Sequence, residues 1–486
     1  MFPYTQVIVS RLLSVVMTLA LLMAKFSLIS HLLCTQQKNM ASNAKRILSG
    51  LVILLTSLYF LTYLQTLQQR TLLTWHSSRL GNNDKTLREQ RDDHVTTPHL
   101  RFKADPIPNS LFDFVDDLPI KPLKPKEKKC MDILYIKTHK TGSETVATMF
   151  RRFGLRNNLT FARPIGNYQT RNNLGWPWTF KKSYVHPSKT GKFNILCDHS
   201  IFTGKEMYDI MNEDVVTVAS LRDPFSHMKS AFSYFKMQEY ARMKNTINTT
   251  DTFEEFLLDM AGYDKIYKEN SAMCVPHHVS VTQHAQARDL GFPLGFQGMR
   301  DQSQNVTFIY HFLESISSQV NIPLITEYFN HSLILMKRIL RWSHFDILYS
   351  IRNPTNKSKK HKTYSIYPEH IRQNALKWNY LDVLLHRLMN RTLWENIKHM
   401  PDFNEELDHF EKTLSMVVTA CNRASLQRNI PVLTVPASTW DDGFIVRSTD
   451  CYRMSASLQK EIHQLIESNV EQKYKQPKVW HTIPGC

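Results

Sequence analysis

Along the chain, hydrophobic positions gather into short continuous runs, each followed by a polar turn and then by apolar residues at helical spacing. The first run is Ile133 to Lys137, with Val146, Met149, Phe150 and Phe153 behind its turn. A second, Val215 to Leu221, ends in Arg222-Asp223-Pro224 and is followed by Phe225, Met228, Phe232 and Phe235. The third, Ile322 to Thr326, leads into Leu333 to Leu340. Unbroken apolar runs suit strands buried on both faces, and the spacing behind each predicts a helix. Strand, turn and helix in repetition predict an α/β fold: a parallel sheet flanked by helices, with ligands at the carboxyl ends of its strands. No internal repeat of fixed period interrupts this pattern.

The N-terminal part follows a different rule. Ile47 to Gln69 carries no charge, follows Lys45 and Arg46, and is long enough to cross a bilayer. With basic residues before it and no small-residue cleavage site after it, the expected arrangement is a cytosolic tail (1–46), a transmembrane signal-anchor (47–69), a luminal stem (70–129) and a luminal domain (130–486). The stem assignment rests on scattered charges and on Pro98, Pro106, Pro108, Pro119, Pro122 and Pro125. Leu12 to Ala24, extendable to Leu33, is a further apolar segment that fits a first span, an interfacial helix or an extension upstream of Met40.

A luminal body agrees with six Asn-X-Ser/Thr sequons, at Asn158, Asn248, Asn305, Asn330, Asn356 and Asn390. Six of the seven cysteines, Cys130, Cys197, Cys274, Cys421, Cys451 and Cys486, lie beyond the anchor, where disulfides are permitted, although spacing does not decide their pairing. No Cys-X-X-Cys pair suggests zinc, and no metal site is expected. Composition changes the picture in one respect. With 42% hydrophobic and 21% charged residues the chain is globular, but its net charge of +17 points to an anionic partner.

The turn after the first run reads Lys137-Thr138-His139-Lys140-Thr141-Gly142-Ser143-Glu144-Thr145 and opens a helix. Helix amino ends attract anions; Gly142 admits close backbone approach, Thr141, Ser143 and Thr145 offer hydroxyls, and Lys140 offers charge. Its lysine precedes the only glycine, unlike the nucleoside triphosphatase loop, so ATP hydrolysis is not expected. Arg222 follows the second strand directly, and Ser230 sits about two helical turns further on. Alone, Arg-Asp-Pro is as easily a salt-bridged turn. Together with the lysine loop, it suits a nucleotide bearing both 5′ and 3′ phosphates.

From about Ile133 to Trp394 the chain resembles the Golgi galactose 3-O-sulfotransferases. The likeness rests on Lys-Thr-His-Lys-Thr-Gly-Ser at 137–143, on Leu221-Arg222-Asp223-Pro224 with Ser230, and on Thr326-Glu327-Tyr328-Phe329 before Ser332-Leu333. It continues in Trp378-Asn379 and Leu381-Asp382 before Asn390 and Trp394. The resemblance implies a P-loop-like sulfotransferase fold after one membrane anchor, and 3′-phosphoadenosine 5′-phosphosulfate (PAPS) as donor. It further implies a galactose-terminated glycolipid, galactosylceramide-like, or glycoprotein as acceptor, on the luminal side of the Golgi membrane. Nucleic acid is not an expected partner. The tail beyond Trp394, including Asp441-Asp442-Gly443, matches less well.

Sulfuryl transfer needs a base for the sugar hydroxyl and a cation for the departing nucleotide, and by that logic no metal. Lys140 suits the second role, with Lys140, Thr141, Gly142, Ser143, Glu144, Thr145, Arg222 and Ser230 holding the donor. For the base, His199 is favoured because Phe193 to Cys197 would bring it to a strand end, with Asp198, Glu144 and His186 as substitutes. Tyr168, Trp176 and Trp178 lie in an aromatic, amide-rich stretch suited to stacking a sugar. Two rival functions share the anchor and sequons: a Golgi glycosyltransferase, disfavoured because the chain lacks an Asp-X-Asp triplet, and an inactive luminal glycan-binding protein.

Overall fold

The computed structural model describes residues 100–164, 173–243, 251–271, 279–296, 299–350, 367–424, 430–456 and four isolated positions up to 464. Backbone contacts divide the chain into units 1–95 and 96–486. The first lies outside the described residues, and with it the expected tail and anchor; so does the first half of the stem, residues 70–99. Among the described residues no helix is long and apolar enough to cross a membrane.

Four parallel strands form the central sheet: β1 (Ile133–Ile136), β2 (Ile195–Leu196), β3 (Val216–Leu221) and β4 (Ile322–Ile325), in the order β2-β1-β3-β4. Ile133 faces Ile195 on one side and Val216 on the other, and Leu221 faces Ile325. Every residue of β1, β3 and β4 is buried, which is why these strands read as unbroken apolar runs. The strand expected over Phe193 to Cys197 contracts to two residues. Phe193 instead forms an isolated bridge to Met211.

Helix α1 (Ser143–Arg156) follows β1 and buries Val146, Met149, Phe150 and Phe153, the positions its periodicity marked. Gly154 is required there, since a Cβ would stand 2.4 Å from the Phe161 ring and 2.7 Å from Ile195 Cδ1. Helix α2 (Pro224–Tyr234) follows β3, starts on an Asp223 cap that accepts from the Ser226 amide, and ends one residue before Phe235. Helix α3 (Ala285–Asp289) is short, and α4 (Phe329–Leu340) follows β4 after a single 3₁₀ turn, starting earlier than Leu333. Helix α5 (Tyr380–Ile397) packs across β4 and α3.

The expected stem boundary at residue 129 needs correction. Residues 109–117 form a helix whose Leu111 and Val115 are buried in the main core, each contributing about 2 kcal/mol, so this part of the supposed linker belongs to the packed unit. Beyond Trp394, helix α6 (Phe403–Arg423), an antiparallel hairpin of β5 (Pro431–Val435) and β6 (Phe444–Arg447), and helix α7 (Ser448–Ser455) complete the unit. A disulfide, Cys421–Cys451, joins α6 to α7, while Cys130 and Cys197 are free thiols. Of the sequons, Asn158 and Asn305 are exposed, Asn330 and Asn390 are half-buried, and Asn248 and Asn356 lie outside the described residues.

Candidate active site

Chain order and strand order together locate the site. From β1 the chain goes to β2 on one side and to β3 on the other, so connections diverge between β1 and β3 and leave a crevice at their carboxyl ends. Both basic turns open there. Lys140 and Gly142 adopt left-handed backbone, φ 59° and 72°, which turns the loop sharply into α1. No side chain caps that helix, so its first amides are left for an anion. Arg222 Nη1 donates to the Lys140 carbonyl at 3.2 Å, tying the two turns together. Its Nε is buried without a hydrogen-bond partner among the described residues.

Lys140 Nζ lies 3.8 Å from the centroid of the Tyr234 ring, a residue that sequence reasoning missed. Tyr234 is four residues beyond Ser230 on α2, so the two share the helix face that looks toward the lysine loop. Burial, and then the neighbouring Arg222 charge, lower the Lys140 ammonium from its ordinary range. Arg222 is lowered by burial too.

Two residues of the lysine loop point elsewhere than expected. The Thr141 hydroxyl is buried against β3, 2.8 Å from both Ser220 Oγ and Thr138 Oγ1, so it fastens the loop to the sheet. Glu144 accepts from Lys137 Nζ at 2.7 Å and from Arg151 Nη1 at 2.8 Å. Burial alone would raise this carboxyl, but Arg151 and Lys137 outweigh it and hold it at about 2. Glu144 is thus an ion-pair partner, and its expected part in donor binding, or as a base, has no support from this geometry. Ser143 is buried, whereas Gly142 is exposed and Thr145 half-exposed at the helix entrance.

His199 is half-buried at the end of β2, and Nδ1–H donates to the Lys137 carbonyl at 3.0 Å, leaving the lone pair of the neutral ring on Nε2. Burial first, then His139 and Lys137, hold it well below the ordinary histidine value. Its ring stacks on His139, with centroids 3.9 Å apart at 18°. His139 also packs against Trp176, with centroids 4.2 Å apart and the rings tilted at 39°. Its Nδ1–H donates to Asp289 Oδ2 at 2.8 Å, while Trp176 Nε1 donates to Asp289 Oδ1 at 2.8 Å. Neither His139 nor Asp289 was singled out from sequence. The lysine loop did contain His139, but nothing local pointed to a carboxylate 150 residues away.

Trp176 is therefore part of the wall beside the imidazoles. Trp178 turns away and packs edge-on against Phe296, with centroids 5.6 Å apart, and Tyr168 lies outside the described residues. The substitute bases are placed elsewhere. Asp198 is 1% exposed and binds Arg151 at 2.8 Å and Arg163, both buried guanidiniums, and His186 sits against the Arg163 backbone. Asp198 is committed to charge pairing, and we expect Asp198→Asn to cost about 3 kcal/mol of stability by leaving two buried arginines short of charge. Thermal melting with nucleotide-binding assays would check this; a stable, inactive variant would instead return Asp198 to the chemistry.

The segment of the resemblance farthest from the loop also acquires a role. Asn379 Nδ2 donates to the Thr282 carbonyl at 2.9 Å, and Asp382 accepts from the amides of Ala287 at 2.8 Å and Gln286 at 3.2 Å. These contacts hold α3, which presents Gln286 to the Arg222 backbone at 2.8 Å and Asp289 to His139. Burial raises the Asp382 carboxyl to about 7.

A parallel sheet with an uncapped helix, two linked cationic turns at the switch point and a stacked imidazole pair beside them brings cationic groups and titratable rings together at the carboxyl end of an α/β sheet. The chain belongs to the galactose-3-O-sulfotransferase family, whose model matches residues 29–421. It is 29% identical to galactose-3-O-sulfotransferase 2 of Sus scrofa over 272 residues, covering 55% of this chain and 62% of that protein. It is 29% identical to galactosylceramide sulfotransferase of Mus musculus over 307 residues, 62% of this chain and 66% of the relative. With galactose-3-O-sulfotransferase 3 of Homo sapiens the identity is 28% over 275 residues, 56% of this chain and 58% of the relative. The chain thus spans a little under two thirds of the length of these relatives. No solved structure matches it.

Proposed function

We propose that this chain is a membrane-anchored Golgi enzyme that transfers a sulfuryl group from PAPS to the 3-hydroxyl of galactose, in a galactosylceramide-like glycolipid or a glycoprotein glycan. The observation that carries this reading is the pairing of the lysine loop with Arg222 at the switch point, beside two imidazoles whose Nδ1–H groups are engaged. The orphaned Arg222 Nε fits a phosphate, which would supply its missing acceptor. Lys140, the amides at Gly142 and Ser143 and the Thr145 hydroxyl would take the 5′-phosphosulfate, and Arg222 with Ser230 the 3′-phosphate. The galactose oxygen attacks sulfur as the bond from sulfur to the phosphate oxygen breaks. The electron pair leaves on 3′-phosphoadenosine 5′-phosphate, and the hydroxyl proton passes to an imidazole Nε2. His199 is the base expected from its place after a strand; the carboxylate behind His139 favours that ring as a second reading.

The test is to incubate the full chain with radiolabelled PAPS and a panel of galactosides, then locate the sulfate. Label on the 3-hydroxyl of terminal galactose is expected. Nucleotide binding without transfer to any acceptor would instead indicate a glycan-binding protein. In the same assay, Arg222→Ala and Ser230→Ala are expected to reduce the preference for PAPS over adenosine 5′-phosphosulfate by roughly 10-fold or more, because a charged hydrogen bond to phosphate contributes about 1.5–3 kcal/mol. An unchanged preference places the 3′-phosphate elsewhere.

A further inference from the structure

Asp289 is 1% exposed and ends the short helix α3. Three N–H groups converge on its carboxylate: the His139 backbone amide and His139 Nδ1 on Oδ2, and Trp176 Nε1 on Oδ1, each at 2.8 Å. The Arg288 guanidinium stands over the Trp176 ring, with Nε 3.9 Å from Oδ1. Despite burial, the carboxyl is lowered from its ordinary range by His139 and Arg288, so it remains an anion that only accepts hydrogen bonds. One buried side chain thus fixes the donor loop, a ring nitrogen and an indole of the neighbouring wall.

We propose that Asp289 is a positioning residue for the transfer reaction: it holds His139 as the Nδ1–H tautomer, with the Nε2 lone pair free to receive a proton, and locks that ring to Trp176 and to the lysine loop. The proposal rests on the sulfotransfer reading above, taken with His139 and not His199 as the ring that receives the proton. An anionic acceptor is needed at this position because all three partners are donors. An amide has only one acceptor oxygen, and its NH₂ must then oppose either the indole N–H or the two His139 N–H groups. Turned toward His139, that NH₂ favours the opposite tautomer, whose lone pair faces residue 289 and not the substrate. The charged and titratable groups facing His139 are Asp289 and Arg288 from α3, Lys137 from the end of β1, His199 after β2, and His227 from α2, whose Nε2 donates to the His139 carbonyl at 2.9 Å.

The test uses the full chain in detergent. Asp289→Asn is expected to lower kcat about 10- to 50-fold, while affinity for 3′-phosphoadenosine 5′-phosphate stays within about threefold of wild type. The acid limb of the kcat profile should shift to lower pH, since the lost carboxylate had favoured the imidazolium form of His139. A residue that only supports the fold would reduce activity equally at every pH or weaken nucleotide binding, and either result overturns the proposal, as does a wild-type kcat and acid limb. If the variant does not fold, the wild-type protein decides. With ¹⁵N-histidine labelling, and His139 assigned through His139→Gln, the neutral ring must carry its proton on Nδ1; an Nε2–H ring overturns the proposal. That measurement is independent of turnover, so absence of transfer to any galactoside would sink the sulfotransfer reading without deciding the tautomer.

Discussion

Lys140→Ala is expected to leave a folded protein whose turnover is lower by roughly 10²- to 10³-fold, the effect of removing about 3–4 kcal/mol of charge stabilisation from the departing nucleotide. Folding should survive because Lys140 is half-exposed and its ammonium rests on Tyr234, itself 57% exposed, with no buried ion pair left broken. The left-handed backbone at this position, φ 59°, costs alanine somewhat more than glycine, so Lys140→Gly is the useful companion and should lose activity equally. Lys140→Arg is not a conservative replacement, since a planar guanidinium can lie over the ring but delivers its charge as a spread, fixed fork and not as a compact ammonium. Lys137→Ala would be a poor control, because Lys137 is buried and paired with Glu144, and its loss would disturb the network that runs through Arg151 to Asp198. Kinetics with melting curves and nucleotide titration would separate these cases. Turnover near wild type in a folded Lys140→Ala protein removes Lys140 from the chemistry.

What was legible in the sequence follows how local each signal is. β1, β3 and β4 are buried on both faces, so their apolar runs had no competing interpretation, and the lysine loop and Arg222 were readable because each lies directly after such a run. Glu144 shows where local reading stops. At a helix amino end it resembled a ligand, but its fate is decided by Arg151, two turns further along α1, and by Lys137 before the loop. Asp198 was a plausible base by position, yet two buried arginines claim it, one of them Arg163 from a separate segment. The expected stem likewise contained an amphipathic turn, Leu111 and Val115, whose burial depends on the helix carrying Arg387 and Arg391 far downstream. Most distant of all is the support of the site by Asn379 and Asp382, which act on α3 and through it on His139 and Arg222. Such links are made only when the chain folds, and no spacing rule along the sequence encodes them.

The two imidazoles give the second large effect. If His199 takes the acceptor proton, His199→Ala should lower turnover by roughly 10²- to 10³-fold with nucleotide affinity close to wild type, because among the described residues its side chain hydrogen-bonds to the Lys137 carbonyl and not to the Arg222 turn. The neutral ring is the active form, and burial with the neighbouring His139 and Lys137 places its titration well below the ordinary histidine range. The sign follows directly: wild-type rate should hold as pH falls past about 6.5 and decline only at lower pH, where the ring becomes protonated and can no longer accept. His199→Ala should lose that acid limb together with the rate. His139→Ala is the decisive comparison, because the rings stack at 3.9 Å and both have Nδ1 engaged by an acceptor. If His139→Ala abolishes both the rate and the limb while His199→Ala keeps the limb and most of the rate, the carboxylate-backed ring is the base and His199 serves as its stacking partner. If neither variant alters the acid limb, the proton goes to a group other than these imidazoles, and the site's assignment as the seat of transfer fails with it.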